Sequence, residues 1–166
     1  LILAGDHIYK MDYADMLRFH RQEKADATVA AIEVPIEQAA SFGVLAADEN
    51  SRIVGFEEKP ERPKSIPGRP DMAFASMGVY LFNTKKILEH LRFDALQDTS
   101  HDFGKNIVPE MMRTSRVCAY NFIDKNKKAA KYWRDVGTID AYWEANTDLV
   151  SVDPLLNLYD NAWPMR

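Results

Sequence analysis

Two aspartates, a glutamate–lysine pair and a few small residues are the positions at which this sequence could do chemistry. Asp6 follows Leu1-Ile2-Leu3-Ala4-Gly5, an unbroken apolar run closed by a glycine. Such a run reads as a strand buried on both faces, as in a parallel α/β sheet. The glycine allows the chain to turn sharply after it. Asp6 then stands at the carboxyl end of a strand, where open α/β sheets place their ligands. A carboxylate there can hold a divalent cation against phosphate oxygens. It can equally cap the helix that follows. Asp135 has the same setting, delivered by the short stretch Tyr132 to Asp135 with Gly137-Thr138 opening a helix behind it. Two carboxylates from separate strand ends are the minimal protein share of a Mg²⁺ site, the rest being water and substrate phosphates. Spacing along the chain does not show that the two meet.

Glu58-Lys59-Pro60 is the second constellation. A lysine before proline is expected to be held extended, aimed rather than waving on a helix surface. Its compact positive charge suits phosphate, and Glu58 can accept two hydrogen bonds from sugar hydroxyls. The competing reading is an exposed hairpin end with a surface ion pair, worth little. Ser76 and Gly78 interrupt an otherwise apolar strand. A glycine there lets a ligand or another backbone approach closely, while Ser76 could bond a sugar hydroxyl or its own backbone. Gly43, in Ser41-Phe42-Gly43-Val44, has the same two readings.

Other tempting residues carry less. Ser100-His101-Asp102 is not read as a hydrolytic triad, because triad members are brought together by the fold and not by adjacency. Asp102 reads instead as a helix cap. His7, His20 and His90 lack metal-ligand spacing and are given no role. The lysine-rich run from Lys125 to Lys131 reads as a solvated face, and Cys118 as a small buried hydrophobe.

The elements that must position these residues alternate along the chain. Tyr13 to Lys24 reads as a helix capped by Asp12, with Met16, Leu17 and His20 near one face. Ala27 to Val34 is a strand. Phe42 to Asp48 and Arg52 to Glu58 form a hairpin about Glu49-Asn50-Ser51. Pro60 to Pro70 carries four prolines and is a loop. Phe74 to Phe82 is a strand, Thr84 to Leu91 a helix capped by Asn83 or Thr84, and Gly104 to Thr114 a further helix. Arg116 to Ile123 and Tyr132 to Asp135 are strands. Thr138 to Val150 is a helix with Tyr142, Ala145 and Leu149 along one face, and Pro154 to Arg166 is linker-like. This order predicts an α/β fold with a mixed, mostly parallel sheet flanked by helices.

Composition narrows the function classes. The chain has 166 residues, with 46% hydrophobic and 28% charged, which suits one globular domain. Twenty-one basic against 25 acidic residues leave a formal charge of −4. With no basic block, that argues against a nucleic-acid partner. One cysteine excludes an internal disulfide framework and fits a reducing compartment. No run approaches the ~20 apolar residues of a membrane helix, and no secretory signal is visible. The expectation is a cytoplasmic protein with no membrane partner.

Six stretches in one order carry a family resemblance. They are Gly5-Asp6-His7-Ile8-Tyr9-Lys10, Phe42-Gly43-Val44, Phe56-Glu57-Glu58-Lys59-Pro60, Ala75-Ser76-Met77-Gly78-Val79-Tyr80, Ser100-His101-Asp102-Phe103-Gly104-Lys105 and Tyr132-Trp133-Arg134-Asp135-Val136-Gly137-Thr138. Together they resemble the bacterial ADP-glucose pyrophosphorylase (glucose-1-phosphate adenylyltransferase) family, over almost the whole chain through Asn161-Ala162-Trp163-Pro164. The resemblance implies a Rossmann-like nucleotidyltransferase fold. The implied reaction joins ATP to α-D-glucose 1-phosphate, giving ADP-glucose and pyrophosphate, in glycogen synthesis. It implies Asp6 and Asp135 as Mg²⁺ carboxylates, Glu58 and Lys59 as glucose and phosphate contacts, and Ser76 and Gly43 as further sugar-side contacts. It also implies an allosteric enzyme whose full-length form is a homotetramer.

The family's glycine-rich phosphate loop lies upstream of the Gly-Asp-His strand, and its C-terminal β-helix domain would begin after Arg166. A chain opening at Leu1 on a buried-type strand, without an initiating Met, therefore reads as the second part of a catalytic domain. Residues 1–152 are assigned to that domain and 153–166 to the linker beyond it. The isolated chain is expected to be poorly active or inactive. Two alternatives stand beside this reading. One is a sugar-1-phosphate nucleotidyltransferase using UTP or dTTP, and the other is a non-catalytic regulatory subunit of the same fold.

Overall fold

In the computed structural model, which describes residues 1–124 and 129–159, short strands and helices alternate from the start. β1 (Ile2–Leu3), β2 (His7–Tyr9) and α1 (Tyr13–Gln22) lead into the long β3 (Ala27–Pro35). The one-turn α2 (Ile36–Ala39) precedes the hairpin of β4 (Gly43–Ala47) and β5 (Ile53–Glu58). Then come β6 (Met72–Phe82), α3 (Thr84–Asp94), a wide turn at Phe103–Ile107 and α4 (Val108–Thr114). β7 (Val117–Asn121), β8 (Ile123–Asp124), β9 (Ala129–Ala130), β10 (Trp133–Asp135) and α5 (Ile139–Leu149) complete the order.

β6 is the axis of the main sheet, whose strand order is β5-β4-β6-β3-β7. β3 runs along one edge of β6, and β4 and β1 share the other. β4 faces Phe74 and Ala75, whereas β1 faces Val79 and Tyr80. Between these two partners the strand bulges. The β3·β6 register slips between Val29 and Ala31, and Gly78 takes a φ of +63°, a left-handed value that glycine adopts without a side-chain clash.

The α/β class with a mixed, helix-flanked sheet holds, with a smaller parallel share than expected. Only β3·β7 is parallel among the described residues, and the other named pairs of this sheet are antiparallel. The β4–β5 connection is a tight turn closed by Asp48, whose carboxylate accepts the N–H groups of Asn50 and Arg52. Parallel neighbours would need a long crossover instead.

Alternation along β3 builds a core on each face of the sheet. Ala30, Ile32 and Val34 join Met16, Met77, Val79 and Phe122 on one side. Ala27, Val29 and Ala31 join Leu45, Ile87, Ile107 and Met111 on the other. Each large side chain so buried contributes about 1.5–3 kcal/mol. Side-chain caps fall where the residue types suggest. Asp12 accepts from Ala14 N–H, Asn83 from Lys85 N–H, Asp102 from Lys105 N–H and Thr138 from Ala141 N–H.

Four expectations are corrected. β1 covers only two residues, pairs with β6 alone and leaves Leu3 43% exposed, so it is not buried on both faces among the described residues. No helix follows Asp6 directly, because β2 intervenes and the cap of α1 is Asp12. Lys59 is not extended but has a φ of +48°. On α5, Ala145 is buried but Tyr142 is 59% exposed, because Asp148, not Tyr142, faces β10 through Arg134 and Tyr132. Residues 125–128, within the lysine-rich run, and 160–166, with Trp163-Pro164, lie outside the described residues; β8 and β9, flanking the former, pair antiparallel.

Candidate active site

The small β2·β10 ladder brings the two strand-end aspartates together. Asp135 lies opposite His7, Arg134 opposite Ile8 and Trp133 opposite Tyr9. One step further, Val136 N–H donates to the Asp6 carbonyl at 3.0 Å. Gly137 N–H donates to Asp135 Oδ1 at 2.9 Å and orients that carboxylate. A Cβ placed on Gly137 would lie 3.1 Å from Asp135 Oδ1 and 3.5 Å from Asp6 Oδ2. The bare glycine therefore keeps the gap between the carboxylates open.

His7, given no role by its spacing in sequence, stands in the same place. Its Nε2 is 3.7 Å from Asp6 Oδ1 and 3.8 Å from Asp135 Oδ2. One donor atom each from Asp6, His7 and Asp135 lie within 4.8 Å of one another. Two carboxylates this close repel unless a positive charge sits between them. Both keep solvent access, with side chains 60% and 37% exposed. That donor set fits a divalent ion that retains several waters.

The other end of the cavity is built by the β4–β5 hairpin and β6. Gly43 pairs with Glu58 across the hairpin. A Cβ on Gly43 would come within 2.8 Å of Glu58 Oε2 and 2.9 Å of Phe56 Cζ. A Cβ on Gly104 would come within 3.0 Å of the same oxygen. Two glycines from distant stretches thus form the socket of the Glu58 carboxylate. Gly104 reaches it on the wide turn that Asp102 caps.

Lys59 follows at the end of the ladder. Its N–H donates to Phe42 carbonyl at 3.0 Å, so the chain must kink there before entering Pro60. A non-glycine residue in the left-handed region costs on the order of 1–3 kcal/mol and persists where the surrounding structure holds it, here through the bond to Phe42. Ser76 Oγ accepts Gly78 N–H at 3.4 Å. Beside it, burial pushes the Tyr80 phenol up, offset in part by its hydrogen bond with Ser76.

Seven residues singled out in sequence line one cavity of about 300 Å³: Asp6, Gly43, Glu58, Lys59, Ser76, Gly78 and Asp135. His7, Tyr80 and Trp133 line it too, and sequence reasoning passed over them. Trp133 packs edge-on against His7 and Phe42, at centroid distances of 5.3 and 5.1 Å. The available signal was position: each is within a few residues of a residue already chosen. By contrast Ser100, His101 and Asp102 form no triad, since His101 bonds Asp94 and Ser100 bonds Asn106. Cys118 is fully buried and burial pushes its thiol up, as befits an unreactive core residue.

The chain is thus an α/β domain with paired carboxylates at one end of a cavity and a Glu-Lys pair at the other. The chain belongs to the nucleotidyl transferase family, whose profile matches residues 1–152. Among curated relatives, the glucose-1-phosphate adenylyltransferase of Paramagnetospirillum magneticum is 53% identical over 170 residues, covering 99% of this chain and 40% of that protein. The protein of that name from Rhodopirellula baltica is 54% identical over 167 residues, covering 100% and 37%. That of Methylobacillus flagellatus is 55% identical over 169 residues, covering 99% and 40%. The chain thus spans about two fifths of the length of the curated relatives it matches. Among the described residues no helix is long and apolar enough to cross a membrane.

Proposed function

We propose that this chain forms the sugar-phosphate and metal side of a glucose-1-phosphate adenylyltransferase. That enzyme makes ADP-glucose and pyrophosphate from ATP and α-D-glucose 1-phosphate, in the cytoplasm, as a step of glycogen synthesis. The observation that carries the reading is the convergence of Asp6, Asp135, Glu58, Lys59, Ser76 and Gly43 on one cavity. The shared name of the relatives supports the choice of adenylyl over uridylyl or thymidylyl transfer. The family resemblance extends it to an allosterically regulated homotetramer.

The chemistry follows from placement. A phosphate oxygen of glucose 1-phosphate attacks the α-phosphorus of ATP. One P–O bond forms, the bond to the β-phosphate oxygen breaks in line, and pyrophosphate leaves. No enzyme nucleophile is required, so catalysis is positioning and charge neutralisation. Lys59 holds the attacking phosphate by a charge-assisted hydrogen bond. Glu58, fixed in its two-glycine socket, accepts from glucose hydroxyls, and Ser76 adds a further polar contact. Asp6 and Asp135 hold a divalent cation, Mg²⁺ in the expected case, which when bound neutralises the charge of the nucleotide phosphates.

Assay of the complete protein with glucose 1-phosphate and each of ATP, UTP and dTTP tests the reading. ADP-glucose formation with ATP, at a rate well above the other two, is the expected result. Preference for UTP or dTTP would replace the nucleotide. Absence of turnover with all three, despite glucose 1-phosphate binding, would point to a regulatory subunit.

A further inference from the structure

We propose that His7 is a third protein ligand of the cation held by Asp6 and Asp135, and that its nitrogen tilts this site toward Mn²⁺ over Mg²⁺. The inference rests on the metal site of the proposed function and adds a residue and a selectivity to it. Its basis is the hydrogen bonding of the imidazole.

His7 Nδ1 is 2.7 Å from the Met77 carbonyl oxygen. A carbonyl only accepts, so Nδ1 carries the proton. The Trp133 indole N–H lies 3.4 Å from the same nitrogen. The shorter contact decides, and the indole is left as edge-on packing against the ring. In the neutral ring the remaining lone pair is then on Nε2. That is the arrangement of a metal-binding histidine, whose other nitrogen donates to a backbone carbonyl that fixes tautomer and ring orientation.

The carbonyl is itself well placed. Met77 is fully buried in the β6 bulge beside Gly78, and a Cβ on Gly78 would sit 3.2 Å from His7 Cε1. The bulge and its glycine therefore both orient the ring and make room for it. The His7 side chain is only 11% exposed, far less than either aspartate, so its aim is set by packing.

Nε2 points at the carboxylates without bonding them. Separations of 3.7 and 3.8 Å are too long for hydrogen bonds. They lie inside the ~4.2 Å that two donors can span across an ion bound at ~2.1 Å from each. A pure oxygen site suits Mg²⁺, which dehydrates reluctantly. A nitrogen donor favours first-row transition ions over Mg²⁺.

Electron paramagnetic resonance of the complete protein loaded with Mn²⁺, with and without a non-hydrolysable ATP analogue, tests this. In the parent, pulsed spectra should show a directly coordinated imidazole nitrogen that changes on ¹⁵N-histidine labelling. His7→Asn keeps an N–H for the Met77 carbonyl and deletes Nε2. It should abolish that coupling and weaken Mn²⁺ binding at least tenfold. Mg²⁺ affinity, read by competition, should change less than about threefold. Mn²⁺ bound without nitrogen coupling, yet lost in Asp135→Asn, would overturn the role of His7 and leave the carboxylate site standing. Mn²⁺ binding unaffected by Asp135→Asn, or no binding at all, would overturn the site and the inference together. The parent spectrum decides even if His7→Asn fails to fold.

Discussion

Asp135 pairs with His7 across the β2·β10 ladder, and the next residue, Val136, donates its N–H to the Asp6 carbonyl at 3.0 Å. Four consecutive positions on each strand, 6–9 against 133–136, therefore hold both carboxylates on one rim of the cavity. Replacing Asp135 by Asn keeps the size and the Gly137 N–H partner while removing a charge. In the complete protein, kcat should fall by two to three orders of magnitude, the scale of losing several kcal/mol of charge stabilisation. The KM for glucose 1-phosphate should change little. Steady-state kinetics with Mg²⁺, and with the metal stripped by a chelator, checks both halves of this expectation.

Lys59 should behave oppositely. Lys59→Ala removes a charge-assisted bond of about 1.5–3 kcal/mol, which corresponds to a roughly ten- to hundredfold rise in the glucose 1-phosphate KM. Turnover at saturating sugar phosphate should be less affected. An unchanged KM would remove Lys59 from the sugar-phosphate site.

The glycine socket of Glu58 gives a third test. Gly43→Ala places a Cβ 2.8 Å from Glu58 Oε2 and 2.9 Å from the Phe56 ring. The carboxylate can swing away, but the ring packs against the core around Leu45. A stability loss of about 1–3 kcal/mol is expected, together with weaker glucose 1-phosphate binding. In a Glu58→Ala background the binding penalty of Gly43→Ala should largely vanish. Thermal melts and calorimetry over the four-variant cycle read both effects.

β10 is tied to α5 behind the site. Arg134 Nε donates to Asp148 Oδ2 at 2.9 Å, and Tyr132 OH donates to the same oxygen at 3.0 Å. The Arg134 guanidinium, with Tyr132 adding to it, holds the Asp148 carboxyl below its ordinary value. A lowered folded-state value means the contribution is full above the ordinary carboxylate range and is lost as pH falls through the lowered value. Partial exposure of the pair, 38% and 32%, keeps it below about 1 kcal/mol. Asp148→Asn should lower the melting temperature slightly at neutral pH, and the difference from the parent should close as the solution is acidified. A difference that persists at the acid end would mean the charge is not the source.

Residue types and local spacing determined a good deal of this protein. The caps at Asp12, Asn83 and Asp102 and the hairpin from β4 to β5 depend on neighbours within a few positions, so the sequence carries them directly. The residues proposed for chemistry were picked out by equally local features, a carboxylate after a strand or a lysine before a proline. What joined them was not local. The meeting of Asp6 with Asp135 rests on the register of β2 against β10, and the seat of Glu58 on two glycines from separate elements. The aim of His7 rests on a carbonyl exposed by a bulge in β6, and the kink at Lys59 on a hydrogen bond to Phe42. Each is a contact between stretches far apart in the chain, and only the tertiary structure decided it, because strand register and bulges are set by the packing of the whole sheet.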